Sequence, residues 1–364
     1  MKNVILINQK ETPKNILFLI SSIGGGGAER VACRLVSEFS KRHKVYLIYF
    51  DKKEQEYSVS PKVKLIPFIT TNKPPKKDKN GKQISQKVLR MNKIEEVRRM
   101  YKIDVTISFL RWPNVFNVNA GGGTKRILSE RNDPEGKGEE YFESMKSAYE
   151  KGDKIVFQTK YVRNKYPYSI RKKGIIIPNP VSVACLADPS IKEKKIVSVG
   201  RLVPQKNQEV LIKAFSIFEK THKGYHLYIY GDGSLLNELK TLSIQKNLED
   251  KVHFEGFCKD IHEKIKDAEQ FVLSSDFEGM PNALMEAMMM GIPCISTNCS
   301  GLSELIFNGV NGLLVPIKDV SALARAMCML SDDKMLQNKL RRAAKIKSEE
   351  WKTERIIKKW EELF

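Results

Sequence analysis

Three short stretches hold the residues whose types and spacing suit chemistry. The first is Gly24-Gly25-Gly26-Gly27, followed by Ala28-Glu29-Arg30, between a strand-like run and a helical pattern. Glycines there let the backbone approach a ligand closely, and a helix N-terminus offers free N–H groups to an anion. A dinucleotide fingerprint would need another glycine at position 29, which is Glu29, so a nicotinamide site is disfavoured. A flexible strand–helix connection is the alternative reading. The second stretch is Val199-Gly200-Arg201-Leu202-Val203-Pro204-Gln205-Lys206-Asn207. Arg201 and Lys206 would project from the C-terminal edge of a sheet, where open α/β folds bind ligands. An arginine gives a two-pronged phosphate contact and a lysine a compact charge. Taken alone, they read equally well as two surface cations. The third stretch, Phe277–Ala287 (FEGMPNALMEA), opens a helix. Pro281 suits the first helical turn and leaves neighbouring amides free. Glu278 lies on the loop and Glu286 about one turn inside. A carboxylate accepts hydroxyl hydrogen bonds well, so two glutamates flanking a helix N-terminus suit a ribose and a hexose with diphosphate between them. The plainer reading is loop decoration for Glu278 and a solvated helix residue for Glu286, but the apolar neighbours Met285 and Ala287 weigh against it.

Positioning these stretches requires strands that end beside one another. Strand-like runs cover Asn15–Ile20, Lys44–Phe50, Val63–Ile69, Ile103–Phe109, Arg126–Ser129, Lys154–Gln158 and Ile175–Ile177, with helical patterns between several of them. The rhythm restarts at Lys195–Val199, Tyr225–Tyr230, Val252–Phe254, Phe271–Ser274 and Ile292–Thr297. Continuous apolar strands alternating with helices predict parallel sheets covered on both faces, here two Rossmann-like domains. The expected division is 1–180 and 181–345. A hinge is expected at Pro178-Asn179-Pro180, continuing through the polar stretch Asp188–Lys194. A final segment, 346–364, carries Ile356, Ile357, Trp360 and Leu363 on one helical face and is expected to dock back on the first domain. Met280, Met285, Met288, Met289 and Met290 read as adaptable core packing.

The length of 364 residues suits two domains, and no apolar run approaches the ~18 residues that cross a bilayer. The short apolar stretch Val4–Ile7 is broken by Asn8, Gln9, Lys10 and Glu11, which argues against a signal peptide. Six scattered cysteines, without zinc spacing, read as reduced thiols in a cytoplasmic protein. The net charge of +20 is uneven: residues 1–170 hold +16 and residues 171–364 hold +4. A basic half attracts a polyanion, and composition leaves open nucleic acid, an acidic lipid surface or a phosphorylated substrate.

Together GGGGAER, GRLVPQKN, the Glu278-to-Glu286 spacing ahead of Gly291-Ile292-Pro293, and Asn308–Val315 (NGVNGLLV) resemble glycosyltransferase family 4. The resemblance implies a GT-B fold, with two Rossmann-like doubly wound domains facing a central cleft, and a retaining transfer from a nucleotide sugar. It implies that Arg201 and Lys206 hold the donor diphosphate, Glu278 the transferred sugar and Glu286 the nucleotide ribose. The amides of Asn282, Ala283 and Leu284 would face the phosphate and sugar. Gly25, Gly26 and Gly27 would close over the diphosphate, and Phe257 stands where the family holds the base. Many members place a histidine after the fifth strand of the first domain. Here Arg131 occupies that place, in Leu128–Pro134, so Glu130 and Arg131 become candidates for orienting the acceptor or for a structural role. His43, beside Arg42 and Lys44, reads as a surface residue.

No two aspartates stand two residues apart, so no DxD holds a divalent cation, and neither metal nor other cofactor is expected. The expected donor is a UDP-sugar carrying a hexose or N-acetylhexosamine. The expected acceptor is a glycan or a lipid-pyrophosphate-linked glycan. A nucleotide-sugar 2-epimerase of the same fold is disfavoured because the first domain lacks an acidic, histidine-bearing set. Nucleic-acid binding is disfavoured because Lys73–Arg99 has ten basic residues but no aromatic platform. Those residues are 73, 76, 77, 79, 82, 87, 90, 93, 98 and 99; Ile84, Val88, Leu89 and Met91 add apolar character. Such a segment suits an anionic inner-membrane surface, giving a cytoplasmic, peripheral enzyme; the alternative is a basic surface that merely keeps the protein soluble.

Overall fold

The computed structural model describes residues 12–51, 57–69, 83–188 and 193–364. The expectations for Val4–Ile7, for Lys73, Lys76, Lys77, Lys79 and Lys82, and for much of Asp188–Lys194 fall outside them. Thirteen strands form two sheets among the described residues. They are β1 (Asn15–Ile20), β2 (Lys44–Tyr49), β3 (Lys64–Pro67), β4 (Val105–Phe109), β5 (Lys125–Ser129), β6 (Lys154–Phe157) and β7 (Gly174–Ile176) in the first. The second holds β8 (Lys195–Val199), β9 (His226–Tyr230), β10 (Val252–Gly256), β11 (Gln270–Leu273), β12 (Cys294–Thr297) and β13 (Leu313–Val315). The orders are β3-β2-β1-β4-β5-β6-β7 and β10-β9-β8-β11-β12-β13. Every strand run expected from apolar continuity is present; β13, a three-residue edge strand, was too short to stand out.

Both orders reverse direction once, between β1 and β4 and between β8 and β11, and both pairs are parallel. At such a switch point the loops leaving adjacent strands turn to opposite faces and open a crevice at the carboxyl edge. In the second sheet, that geometry sends the Gly200–Lys206 and Ser274–Met280 loops out side by side.

The chain packs as two compact units. The first comprises Met1–Glu130, Glu143–Val156 and Trp360–Phe364, and the second comprises Arg131–Phe142 and Phe157–Lys359. Residue 180 separates the strands of the two sheets, but packing draws the line differently. Arg131 donates to Asn179, Asp133 accepts from Ser300, and Asn179 reaches Met280 and Asn282, so these stretches find their partners in the second unit. Of 346–364, only Trp360–Phe364 groups with the first unit.

In the first unit, Phe18 and Phe109 meet edge to face at 5.0 Å beneath Trp360, which is fully buried. Phe364 packs on Phe39, while Glu361 pairs with His43 at 3.1 Å and with Arg42 at 2.7 Å. His43 is therefore buried, contrary to the surface position its charged neighbours suggested. Arg98 departs from expectation in the same way. On the Gln86–Met100 helix it turns inward, giving hydrogen bonds to Thr106 Oγ1, the carbonyls of Asn117, Ala120 and Gly121, and Asn117 Oδ1. Burial first, then the Arg126 charge, brings its pKa down to about 10, so it stays cationic at neutral pH.

In the second unit, one face of the sheet is covered by Leu211, Phe215 and Phe218 of the Gln208–Thr221 helix with Leu323 and Met327 of the Val320–Asp332 helix. The other is covered by the Asn282–Met290 helix, whose methionines 285, 288, 289 and 290 are buried in a cluster with Met280. All six cysteines are unpaired, and burial pushes the Cys33 thiol up to about 12.

His226 and His253, at the same end of neighbouring strands β9 and β10, approach to 2.9 Å between Nδ1 and Nε2. Nitrogens this close form one hydrogen bond, so one of the facing nitrogens carries a proton and the other accepts it. Burial, then the His226 charge, hold His253 below the ordinary imidazole value. Because folded His253 resists a proton that the unfolded chain accepts near about pH 6.5, its contribution is complete above that pH and declines as pH falls. Urea denaturation between pH 7.5 and 5 should show midpoints dropping on acidification, with a shallower drop in His253→Phe. An equal drop in both would contradict it.

Candidate active site

The candidate residues of the second unit converge because the loops leaving β8 and β11 are tied together. Asp276 N–H donates to Gln205 O at 2.9 Å, and Gln205 Nε2 donates to Phe277 O at 2.8 Å. Ser274 Oγ donates to Lys206 O at 3.0 Å, and Asn207 Nδ2 donates to Asp276 Oδ1 at 2.7 Å. Asn207 adopts the left-handed conformation that joins the Pro204–Lys206 turn to the next helix, and its side chain caps that helix.

This register brings Lys206 Nζ to 2.5 Å from Glu278 Oε1, which also accepts from Ser275 Oγ at 2.6 Å. The two side chains are 16% and 7% exposed. The Glu278 N–H donates to Ser300 Oγ, and Ser300 Oγ donates to Asp133 Oδ2 at 2.6 Å. Glu278 is thus held through both its carboxylate and its backbone. The structure joins Lys206 and Glu278, which the sequence assigned to different parts of a donor, in one ion pair.

Arg201 lies on the turn after β8. Its guanidinium is exposed, without a hydrogen bond or ion pair among the described residues, while its carbonyl accepts from Gln208. The Asn282–Met290 helix begins just past Pro281, so the proline is the cap rather than part of the first turn. Its first intrahelical bond there is Met285 N–H to Pro281 O, which leaves the Ala283 and Leu284 amides at the helix's positive end. Glu286 lies further along the helix, 4% exposed, with Oε2 3.3 Å from His262 Nε2. Phe257 follows β10 with its ring half exposed, and its N–H donates to Asp232 Oδ2 at 2.9 Å.

The remaining candidates divide between the units. Gly25, Gly26 and Gly27 lie in the first, with Gly27 opening the Gly27–Phe39 helix and Gly25 at φ +82. Glu130 is also there, buried, accepting from Tyr149 Oη at 3.1 Å. Arg131 belongs to the second unit, buried, with Nη1 donating to Asn179 Oδ1 at 2.9 Å. Among the described residues no three His, Cys, Asp or Glu side chains are grouped to hold a metal, and no helix is long and apolar enough to cross a membrane.

Several site-forming residues escaped the sequence reading. Asn179 binds Met280 O and Asn282 Oδ1 as well as Arg131. Ser275, Ser300 and His262 belong to no motif. Gly231-Asp232-Gly233 carried a signal, a glycine pair at the end of an apolar run. A Cβ at Gly231 or Gly233 would lie 2.2 Å from the carbonyl of Gly200 or Leu202. Gly279 is similarly required, because a Cβ there would lie 2.2 Å from Arg131 O.

Comparison with known proteins gives the family and the fold. The family profile described as "Glycosyl transferases group 1" matches residues 188–347. The chain is 30% identical over 359 residues to the N-acetylgalactosamine-N,N'-diacetylbacillosaminyl-diphospho-undecaprenol 4-alpha-N-acetylgalactosaminyltransferase of Campylobacter jejuni, covering 90% of this chain and 93% of that one. It is 25% identical over 354 residues to an uncharacterized glycosyltransferase of Haemophilus influenzae, covering 95% and 99%. Among solved structures, HepE of Anabaena in complex with UDP and glucose superposes with a TM-score of 0.83 at 18% identity, covering 96% of this chain and 98% of that one, a likeness of fold. The two Rossmann-like sheets are those of a GT-B glycosyltransferase, and an epimerase is not favoured. With the motifs around Lys206 and Glu278 inside the profile and a full-length relative alongside, the chain belongs to the group 1 glycosyl transferases.

Proposed function

We propose that the protein transfers a hexose or N-acetylhexosamine from a UDP-sugar to a lipid-pyrophosphate-linked glycan, with retention at the anomeric carbon and without a metal. The observation that carries this reading is the buried Lys206–Glu278 pair beside the unpaired Arg201 and the N-terminus of the Asn282–Met290 helix. These groups, from the loops that leave β8 and β11, set cations and amide dipoles beside a carboxylate at one edge of the sheet. That combination suits a sugar diphosphate, whose leaving group gains negative charge while its sugar offers hydroxyls.

In this mechanism Arg201, Lys206 and the helix amides stabilise the departing diphosphate, and Glu278 accepts a hydroxyl of the transferred sugar. The acceptor oxygen attacks the anomeric carbon from the face that the diphosphate leaves. The carbon–oxygen bond to the β-phosphate breaks, and the acceptor's proton passes to the departing phosphate oxygen. That route needs no histidine, consistent with Arg131 standing at the family's histidine position with its guanidinium bonded to Asn179. Phe257 faces the base and Glu286 the ribose. The acceptor class follows the relatives, several of which are named for undecaprenol-diphosphate-linked acceptors.

A peripheral position on an anionic cytoplasmic membrane face is part of the proposal. On the first unit, Trp112 is 39% exposed with Lys87 Nζ 4.5 Å and the Arg111 guanidinium 5.0 Å from its ring. Val88 is exposed nearby on the Gln86–Met100 helix. An exposed indole among cations suits the interfacial region of a bilayer. Arg98, being internal, is removed from the basic surface that the sequence suggested.

UDP should raise the melting temperature more than GDP or ADP, and Arg201→Ala should lower turnover of a UDP-sugar by about 10- to 100-fold, as expected for a lost charge-assisted contact. Because Arg201 is exposed and unpaired, that variant should melt like the wild type, whereas Lys206→Ala should lose both activity and stability. Wild-type turnover in Arg201→Ala would remove the phosphate assignment. Activity should also survive exhaustive EDTA; loss restored by magnesium or manganese would refute the metal-free mechanism. Liposome co-sedimentation should require anionic lipid, weaken as salt shortens the Debye length, and drop in a Lys87→Gln, Trp112→Gln double variant. Equal partitioning onto neutral and anionic vesicles would exclude the membrane role.

A further inference from the structure

His262 is the second residue of the Ile261–Ile265 helix, between the base-side Phe257 and the Asn282–Met290 helix. Its Nδ1 accepts the Ala184 N–H at 3.2 Å, which places the ring proton on Nε2. That nitrogen is buried and has no aligned hydrogen-bond partner, yet it lies 3.3 Å from Glu286 Oε2. The imidazole is 13% exposed and the Glu286 side chain 5%. Native interiors seldom leave a buried donor unmatched, so one beside a carboxylate that is itself a ligand candidate calls for a physical account. At 3.3 Å the two atoms are within hydrogen-bond reach, so what separates them from a bond is orientation. Binding a diol supplies a reason to rotate, because vicinal hydroxyls must be met by a carboxylate in one particular plane.

We infer that His262 is a positioning residue for Glu286. Its Nε2–H fixes the carboxylate orientation that receives the ribose hydroxyls of the donor nucleotide. The inference rests on the reading that Glu286 contacts the ribose. The Ala184 N–H sets the ring's tautomer, and the ring in turn sets the carboxylate's plane. His262 touches no reacting atom, so its effect belongs to donor binding rather than to bond cleavage.

Titration calorimetry with UDP and 2′-deoxy-UDP tests both layers, using the full-length protein. Wild type should prefer UDP by about 10-fold or more, as a charge-assisted hydroxyl contact implies. Glu286→Gln should erase most of that preference; if it keeps the full ratio, the ribose reading fails. His262→Phe should reduce the preference to within about 3-fold and raise the donor KM with little change in kcat, and His262→Gln, which restores an N–H, should recover part of it. If Glu286→Gln loses the preference while His262→Phe keeps it, the role of His262 alone is refuted. A second measurement does not depend on either variant folding. With the five histidines labelled with nitrogen-15, UDP should shift the His262 Nε2 resonance more than 2′-deoxy-UDP does. Equal shifts, or none, would overturn the inference.

Discussion

A lysine and a glutamate can be withdrawn from water together but not singly, and the second unit is organised around that constraint. Removing one member of a buried ion pair costs about 3–5 kcal/mol, a large share of a domain's stability. Lys206 and Glu278 come from loops separated by 72 residues, so their meeting depends on the switch between β8 and β11 that brings those loops to one edge. The hydrogen bonds from Ser274, Gln205, Asp276 and Asn207 then fix the register, and Ser275 and Ser300 hold the carboxylate and its backbone. Gly231, Gly233 and Gly279 complete the arrangement by admitting backbone where a side chain would collide. Hydrogen bonds from Ser274, Gln205 and Asn207 thus hold the loops in place, with Asp276 and Asp133 among the acceptors.

The same accounting applies to the charges held inside the first unit. Arg98 finds acceptors for all three guanidinium nitrogens, and Glu361 finds His43 and Arg42. These contacts secure the Gln86–Met100 helix to its sheet and the chain's last residues to the first unit. A cation satisfied by internal carbonyls contributes to structure and is unavailable to an external polyanion. Net charge read along a helix thus overstates the charge on its surface.

The segment from Arg131 to Pro180 has a double allegiance. Its strands β6 and β7 continue the first sheet, while Arg131, Asp133 and Asn179 find partners among residues of the second unit. The acceptor-side candidates diverge accordingly: Glu130 is bonded to Tyr149 in the first unit, and its neighbour Arg131 is bonded to Asn179 in the second. One peptide step separates residues with different partners because a strand ends there and the chain turns out of its sheet.

Much of this protein was legible in the sequence. Two runs of apolar strands alternating with helices specify two doubly wound parallel sheets, because backbone pairing and two-sided burial leave few alternatives. Gly200–Lys206 and Phe277–Ala287 were readable as a candidate site, because glycines, a proline at a helix start and charges at strand exits are local signals. Phe257, Arg201 and Glu286 stand where their local elements suggested. Tertiary structure alone decided which charges face one another. Arg98, His43 and Lys206 are all basic residues beside other polar or charged residues in sequence, yet one is internal, one is buried against a carboxylate, and one is paired with Glu278. Asn179, Ser300 and His262 carried no signal because each acts through partners between 22 and 167 residues away. Periodicity and local propensity report on neighbours within a few turns of chain; such pairings arise only when the sheet order brings distant loops to one edge.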